Sequence, residues 1–339
     1  MVTSLLGAAA PPAVRKPALE VRFGSGTATE WARALSLVTV EAGLAPAVDV
    51  VEIALAPVQH APAVAVGDTG SISLGYAGAL TAVFSGSVAI VRRSIDGATR
   101  VVATNAGGAF ARLRVNQSYE QRRAGEIVSE LAGRAGVTPA AVADGVSFPF
   151  YVVDDGRSVW AHVATLARAC GFAANVDAAG GLVFGPPQTT PVQTFTYGVD
   201  VLALQAAESA PSLGAVTVVG EGAAGSDGSD AWSWLVQDSS GVTRTAGSGE
   251  PERLLQSPSL RSADAVQTAA DGASAAAQSV VVTGRVVVPG APAVTAGCTI
   301  EIAGAPDAGL NGTCTVRTLR HRFAKRGGFV TTIDFGRAP

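Results

Sequence analysis

The stretch DDGRSVWAHVATLARACGFAANVDAAGGLVFGPP, residues 154–187, decides the fold because it interrupts a chain that otherwise has the pattern of short β-strands. Ser158 is a favourable helix N-cap, and Gly171 is a favourable helix stop. The segments FAANV and LVF then flank DAAGG, which predicts a short hairpin. A compact α+β unit is therefore predicted. The apolar residues of its helix recur at helical spacing: Val159, Val163, Leu166, Ala167 and Cys170.

Two acidic residues, a histidine and a cysteine raise the question of whether this stretch is a chemical site. Asp154 and Asp155 are followed by Gly156, which is typical of a turn before a helix cap rather than of a carboxylate pair. His162 and Cys170 lie two helical turns apart, too far to share one metal ion. The stretch therefore predicts a packing unit without chemistry.

The chain on both sides of this unit is typical of β-structure. Upstream, ALEVRF (18–23) and GDTGSISLGY (67–76) predict short strands, and Asp96-Gly97 predicts a hairpin turn. Downstream, FVTTIDF (329–335) alternates in the same way. The composition agrees, because 40 glycines, 18 prolines and only 15% charged residues suit many short strands and tight turns.

Two further segments have helical spacing. YEQRRAGEIVSELAGRAGV (119–137) predicts a helix that ends at Gly136, and an alanine-rich helix is predicted at 262–278. The fold class is mainly β with an α+β insert, in which two antiparallel barrels or sandwiches flank a small helical and hairpin module. The predicted divisions are an N-terminal arm (1–17), a first β domain (18–113), the insert (114–190) and a second β domain with the alanine-rich helix (191–339).

Charge and hydropathy exclude several classes of function. The formal net charge of −3 provides no global basic field, so nucleic-acid binding is not expected. The start, MVTSLLGAAAPP, lacks the basic region of a signal peptide, and no window approaches the roughly 20 apolar residues of a membrane span. We expect a soluble chain made in the bacterial cytoplasm.

No motif predicts a catalytic residue, a cofactor or a metal site. Residues 220–225 match G-x-G-x-x-G, but SDGSDAW follows where a dinucleotide site needs a helix, so a loop is predicted. Each of the three histidines, His60, His162 and His321, is predicted to be a polar edge or core residue. Cys298 and Cys314 either face each other across a hairpin or are two reduced core thiols, and the second interpretation is favoured.

Two clusters are candidates for a partner interface. Arg317, Arg320 and Arg322 lie on the predicted strand around His321, where they either form the solvent-exposed side of a hairpin or contact an acidic partner or a phosphate backbone. Trp232 and Trp234 alternate as in a strand, and either fill a core or anchor an interface, where tryptophan is over-represented.

The order of these segments resembles the baseplate hub proteins of contractile phage tails and injection systems. This group includes the phage late control protein D family and the hub portion of type VI secretion spikes. Three stretches carry the resemblance: SYEQRRAGEIVSELAGRAGV (118–137), SVWAHVATLARACGF followed by GGLVFGPP (158–187), and VPGAPAVTAGCTIEIAG with GLNGTCTVRTLRHRFAKRGGFVTTIDF (288–335). Each motif alone is loose, and the specificity lies in their order and spacing over about residues 18–336.

The resemblance implies two tube-like antiparallel β-barrel domains per chain and assembly as a homotrimer. Such a trimer forms a pseudo-hexameric ring that adapts the six-fold tail tube to the three-fold spike. The implied partners are a spike protein, a tail tube or tube-initiator protein and other baseplate proteins, with no nucleic acid and no membrane in the resting particle. The implied role is structural and non-enzymatic, within a baseplate particle. The alternatives are a carbohydrate-binding or adhesion module, and a cell-wall hydrolase of a tail tip.

Overall fold

The computed structural model describes residues 16–58, 61–210, 212–220 and 242–337. The region before the insert is a set of antiparallel strands with two short helices. Its first helix has a capping box, in which the Thr27 side chain accepts from the Glu30 N–H and the Glu30 carboxylate accepts from the Thr27 N–H. In chain order the elements are β1 (Pro17–Phe23), α1 (Ala28–Ala34), β2 (Leu35–Gly43), β3 (Val50–Leu55), β4 (Thr69–Tyr76), β5 (Ala79–Arg93), β6 (Thr99–Thr104) and α2 (Gly107–Arg112).

The insert alternates short strands with two eleven-residue helices. Ser158 caps the second helix as predicted, because its side chain accepts from the Ala161 N–H, and Gly171 ends it with φ at +65°. The elements are β7 (Gln117–Arg123), α3 (Ala124–Arg134), β8 (Pro139–Val142), β9 (Ser147–Val153), α4 (Val159–Ala169), β10 (Ala173–Val176) and β11 (Leu182–Gly185).

Strands return after the insert, with the alanine-rich helix between them. Ser262 caps this helix by accepting from the Ala265 N–H. The elements are β12 (Pro191–Thr196), β13 (Ala203–Glu208), β14 (Ala215–Val219), β15 (Thr243–Gly247), β16 (Glu252–Gln256), α5 (Ala263–Gln278), β17 (Val282–Pro289), β18 (Thr299–Ala303), β19 (Gly312–Ala324) and β20 (Gly328–Arg337).

One prediction about the insert was wrong in its boundary. The helix predicted at 119–137 begins only at Ala124, and residues 117–123 form β7, which pairs with β9. The reason is local. The apolar residues at helical spacing start at Ala124, whereas in β7 only Tyr119 is buried, as a strand that packs one side chain inward requires.

A single 12-stranded sheet runs through both β regions. Its main path is β1-β4-β5-β6-β3-β2-β19-β20-β17-β13, with β12 and β18 attached beside β19. The mainly β prediction is confirmed, but no described strand pair closes either region into a separate barrel. The two regions share one sheet because β19 is long enough to pair in both of them. Its first part pairs with β18 and its second part pairs with β2, so one strand serves both regions.

A β-bulge at Arg317 marks the change of partner along β19. The register between β19 and β20 shifts between Val316 and Thr318, while β20 follows β19 on both sides of the shift. A bulge bends a strand and increases its twist, so the β19–β20 hairpin can follow two differently oriented halves of the sheet. The C-terminal hairpin therefore joins the first β region to the second.

Three clusters of buried side chains lie around this framework. The first fills the N-terminal β region and includes Phe323 and Phe329 from the C-terminal hairpin. The second lies in the C-terminal β region and includes Phe195, Val316 and Phe335. The third joins the insert to β14, β15 and α5, so the alanine-rich helix packs on the insert.

Close packing of α5 on the insert requires small residues. A Cβ on Gly272 of α5 would lie 2.8 Å from the Gly171 Cα, which is closer than real Cβ contacts. The backbone of the α4 stop and the surface of α5 thus approach directly. Gly171 and Gly272 therefore permit the end of α4 and the surface of α5 to approach this closely.

Candidate assembly surface

The exposed face of the sheet carries a row of ion pairs that crosses the junction between its two halves. On the second half, Arg285 of β17 contacts Asp334 of β20 at 2.6 Å, and the Thr318 hydroxyl donates to the same carboxylate at 3.0 Å. The hydrogen bond from Arg285 lowers the pKa of Asp334. Arg320 of β19 and Glu41 of β2 form a pair at 2.7 Å across the junction itself.

The first half continues the same pattern. Arg100 of β6 contacts Glu52 of β3 at 2.9 Å. All of these side chains are well exposed, and exposed pairs contribute typically below about 1 kcal/mol each. These pairs therefore give the face an alternating pattern of charge and contribute little to the stability.

The three predicted arginines all lie on β19, but they do not have the same environment. Arg320 is paired with Glu41, whereas Arg317 occupies the bulge and its side chain lies near Gly336. Arg322 is exposed two residues beyond Arg320. Among the described residues, neither Arg317 nor Arg322 forms an ion pair. Of the three predicted arginines, Arg320 is thus ion-paired, whereas Arg317 and Arg322 form no ion pair with a described residue. All three side chains are exposed.

A short loop between β2 and β3 connects all three clusters of buried side chains. In this loop the Ala45 N–H donates to the Ala174 carbonyl of the insert at 2.8 Å, and Trp160 of α4 donates its indole N–H to the Ala47 carbonyl at 2.8 Å. Leu44 faces Gly297 of the second β region, whose Cβ would lie 3.1 Å from Leu44 Cδ2. We call residues 44–49 the junction loop.

The junction loop ends at a buried carboxylate. Asp49 accepts from the Gly43 N–H at 3.0 Å and from the Asn105 side-chain amide at 2.8 Å. Burial raises the pKa of Asp49 to about 7, against these two hydrogen bonds, which lower it. Asp49 and His321 both line a cavity of about 210 Å³ between the insert and the two β regions.

His321 is buried as a neutral imidazole. Thr331 Oγ1 accepts from the Ala291 N–H, so its hydroxyl hydrogen is free to donate to His321 Nδ1 at 2.9 Å. The Val294 backbone provides a further hydrogen bond, and this arrangement suits the tautomer protonated at Nε2. Burial lowers the pKa of His321 to about 4. His321 is therefore a core residue, the second of the two possibilities predicted from the sequence, a polar edge residue or a core residue.

These two groups predict opposite pH dependence. Because the pKa of Asp49 is raised from 3.8, its contribution to the free energy of unfolding is lost as pH rises from about 4 to about 7. Because the pKa of His321 is lowered from 6.5, its contribution is lost as pH falls from 6.5 to about 4. With Asp49→Asn, the free energy of unfolding should rise more steeply as pH rises from about 4 to about 7. With His321→Gln, the free energy of unfolding should instead fall as pH rises over this range.

Urea unfolding at several pH values measures both slopes. Each group changes the slope by at most about 1.4 kcal/mol per pH unit. Wild-type stability should vary less over this window than that of either variant, because the two contributions oppose each other. Variant curves that run parallel to the wild-type curve would refute the assignment.

The stretch at 154–187 is a packing unit, as the sequence predicted. His162 is fully buried, its Nε2 lies 2.9 Å from the Asp154 carbonyl, and burial lowers its pKa. Cys170 packs in the third cluster, and Cys298 and Cys314 pack in the C-terminal region as free thiols whose pKa values burial raises. The described residues contain no group of three or more potential metal ligands. None of the described helices is long and apolar enough to cross a membrane.

Some sequence predictions lie outside the described residues. These are Trp232, Trp234, His60 and all of the G-x-G-x-x-G segment beyond Gly220. Two residues on which the surface depends were not predicted from the sequence. Glu41 and Asp334 gave no signal because their partners are distant in sequence, and only the strand register brings them together.

Comparisons with known proteins identify a family for this chain and solved structures that share its fold. A protein-family model described as the Alg8 N-terminal domain matches residues 58–325, which is more than half of the chain. The chain belongs to this family. No curated protein matches this member of the Alg8 N-terminal domain family in sequence.

Solved structures share its fold at low sequence identity. A 43 kDa tail protein of prophage MuSo2 from Shewanella oneidensis aligns with a TM-score of 0.70 at 12% identity, over 95% of this chain and 98% of that one. A tail protein from Neisseria meningitidis MC58 aligns at 0.68 and 13% identity, over 95% and 97%.

A third structure is a secretion component. The E. coli c3393 protein is described as a component of the type VI secretion system with structural similarity to the T4 bacteriophage tail proteins gp27 and gp5. It aligns with a TM-score of 0.58 at 12% identity, over 95% of this chain and 79% of that one. The predicted resemblance to tail proteins is confirmed at the level of the fold.

Proposed function

We propose that this member of the Alg8 N-terminal domain family is a structural baseplate hub of a contractile tail or injection particle. Three copies would form a pseudo-hexameric ring that adapts a six-fold tail tube to a three-fold spike. The observation that carries the proposal is the presence of two β regions within one chain. Two β regions, each with its own buried cluster, are joined in one sheet by β19 and β20.

Two β regions per chain suit a symmetry adaptor, because three chains then supply six regions to face a six-fold tube. We infer that each half of the sheet supplies one segment of the ring wall without closing as a barrel on its own, and that the predicted divisions at 18–113, 114–190 and 191–339 describe the modules of the chain. The packing of α5 on the insert links the third module to the second. A fold likeness that spans 95% of this chain and nearly all of two tail proteins supports a role as a whole structural unit.

The partners follow from this position in a particle. They are further copies of the chain, a spike protein, a tail tube or tube-initiator protein and other baseplate proteins. The role is non-enzymatic, and the chain would be made in the bacterial cytoplasm and reside in the baseplate. Trp232, Trp234, Arg317, Arg320 and Arg322 remain the candidate partner contacts.

The test is co-expression of the full chain with a tail tube chain and a spike chain from the same source organism. Purified complexes should contain three copies of the hub and one trimeric spike, visible as a ring by electron microscopy and weighed by light scattering. A chain that stays monomeric and binds neither partner would refute the proposal. Binding of a glycan or clearing of peptidoglycan by the chain alone would favour one of the alternatives.

The exposed ion pairs provide a prediction for the partner surface. Arg320→Ala should change the free energy of unfolding by less than about 1 kcal/mol because the pair with Glu41 is exposed. It should weaken capture of the tube or spike chain in a pull-down, because the charge lies on the proposed contact face.

Arg134→Ala is the matched control. Arg134 forms a somewhat less exposed pair with Glu130 at 2.9 Å, on the insert helix α3, and also donates to the Gln117 side chain at 3.1 Å. Its loss should affect neither stability nor capture. Equal capture by wild type and both variants would remove Arg320 from the contact.

A further inference from the structure

The two ends of the sheet differ in how they are protected against pairing with another strand. Natural edge strands are blocked by lysine, proline, bulges or covering segments. At β1, Pro17, Glu20 and Arg22 with the preceding Lys16 provide such protection. The terminal strand β13, with sequence ALQAAE, contains no lysine, arginine or proline.

The β13 edge is also open. Among the described strands β13 pairs only with β17, and five of its six residues are exposed. The Ser209 N–H donates to the Val281 carbonyl opposite it, so alternate residues 203, 205 and 207 direct their N–H groups toward β17. The N–H groups of Leu204, Ala206 and Glu208 therefore point away from the sheet.

Large apolar side chains lie exposed beside this edge. Val199 is 75% exposed and Leu202 is 61% exposed, and Val192 and Tyr197 are exposed in the preceding segment. An unblocked strand edge next to such a patch has the properties of a protein interface. No cation occurs from residue 191 to residue 210, whereas Asp200 and Glu208 are acidic.

A complementary edge lies elsewhere in the same sheet. β5 pairs with β4 through Ala79–Ser87 and with β6 through Ser87–Arg93. Beyond Ser87, the edge of β5 that faces β4 is therefore no longer paired with β4. Val88 is covered there, because its backbone bonds to Gly67 and Asp68. Beyond it β5 has a bulge between Val88 and Ile90, in which Ala89 is exposed, and Ile90 is exposed as well. Arg92 and Arg93 follow as exposed residues, and Arg93 donates to the Val64 carbonyl at 3.1 Å. This second edge is apolar and basic where the β13 surface is apolar and acidic.

Strand direction permits these two edges to meet. The path from β5 through β6, β3, β2, β19, β20 and β17 to β13 contains eight strands, and every neighbouring pair is antiparallel. The first and last strands of an even set run in opposite directions. A copy related by rotation about an axis along the strands therefore presents its β5 antiparallel to β13, the more stable pairing per residue.

We infer that β13 and its apolar flank bind the last part of β5, near Ala89–Arg93, in a second copy of this chain. The contact is heterologous, so successive copies can close into a ring. This inference rests on the proposed hub function and identifies the surfaces that join neighbouring subunits.

Site-directed cross-linking tests the contact. Full-length chains carry Ala206→Cys, Ala89→Cys or both, and react with a short bis-maleimide alone and in the presence of the spike chain. The native thiols at 170, 298 and 314 are buried, so the new thiols should react first. We expect cross-linked species up to a covalent trimer only for the double variant.

The outcomes separate this contact from the hub function. Trimers seen by light scattering without cross-linking of the double variant would overturn the contact and leave the hub proposal intact. Dimers from Ala206→Cys alone would indicate that two β13 edges pair with each other, which also overturns it. A monomer under all conditions would overturn both.

A backbone variant provides a second measurement. Ala206→Pro removes the outward N–H while leaving the bonds to β17, and Ala206→Ser keeps that N–H. We expect Ala206→Pro to weaken trimer formation about tenfold or more and Ala206→Ser to leave it unchanged. Equal association of the two variants would contradict a strand-to-strand contact.

Discussion

Trp160→Ala is expected to lower the free energy of unfolding by about 3–5 kcal/mol, the usual cost of truncating a buried aromatic side chain. Trp160 is 1% exposed and stacks on Phe110 with ring centroids 5.0 Å apart and planes at 13°. Its indole N–H also donates to Ala47 in the junction loop. The substitution therefore removes packing between α2 and α4 and one tie between the insert and the first β region.

Trp160→Phe separates these two contributions. It keeps an aromatic ring against Phe110 but leaves the Ala47 carbonyl without its donor, which should cost about 1–3 kcal/mol. Urea unfolding gives the totals, and hydrogen exchange locates the effect. The junction loop should lose protection in both variants, and α4 mainly in Trp160→Ala.

A loss below about 1 kcal/mol for Trp160→Ala would mean that the insert does not depend on this contact. Equal losses for Ala and Phe would assign the whole effect to the hydrogen bond. Either result would mean that stacking of Trp160 on Phe110 does not stabilise the insert.

Local patterns in the sequence predicted the elements well where the signal is short-range. Ser158, Gly171 and Gly136 act at helix ends as their cap chemistry requires, and Gly97 has φ at +83° in the β5–β6 turn. These features depend on neighbouring residues alone. The helix α1 went unpredicted because it is only seven residues long and lies between two strands.

Long-range features could not be predicted in the same way. The sequence suggested two separate β domains because nothing local indicates that β19 leaves β18 and continues along β2. A strand's pairing partner is selected by which face of the strand must be buried, and this depends on the whole sheet. A strand of 13 residues such as β19 is long enough to pair with two different strands along one edge. The candidate surface was predicted in part: Arg320 was identified, but its partner Glu41 lies 279 residues away.

Phe329→Ala is expected to cost about 3–5 kcal/mol and to weaken the N-terminal β region, although residue 329 lies near the C-terminus. Phe329 is 4% exposed and belongs to the first buried cluster. Its ring contacts Tyr76 of β4 at a centroid distance of 6.1 Å and Phe323 at 6.4 Å. The substitution should open a cavity between the hairpin and β4.

Phe335→Ala is the matched control because both residues lie on the same face of β20. Phe335 is 3% exposed and belongs to the second buried cluster, on the other side of the bulge. Hydrogen exchange below the unfolding transition should show lost protection in β1 and β4 for Phe329→Ala, and in β17 and β18 for Phe335→Ala. If Phe329→Ala exposes only the hairpin, the first region is stable without the C-terminal strands. Loss in the predicted strands would mean that the last strands of the chain complete its first core, so the first half of the sheet does not fold as an independent unit.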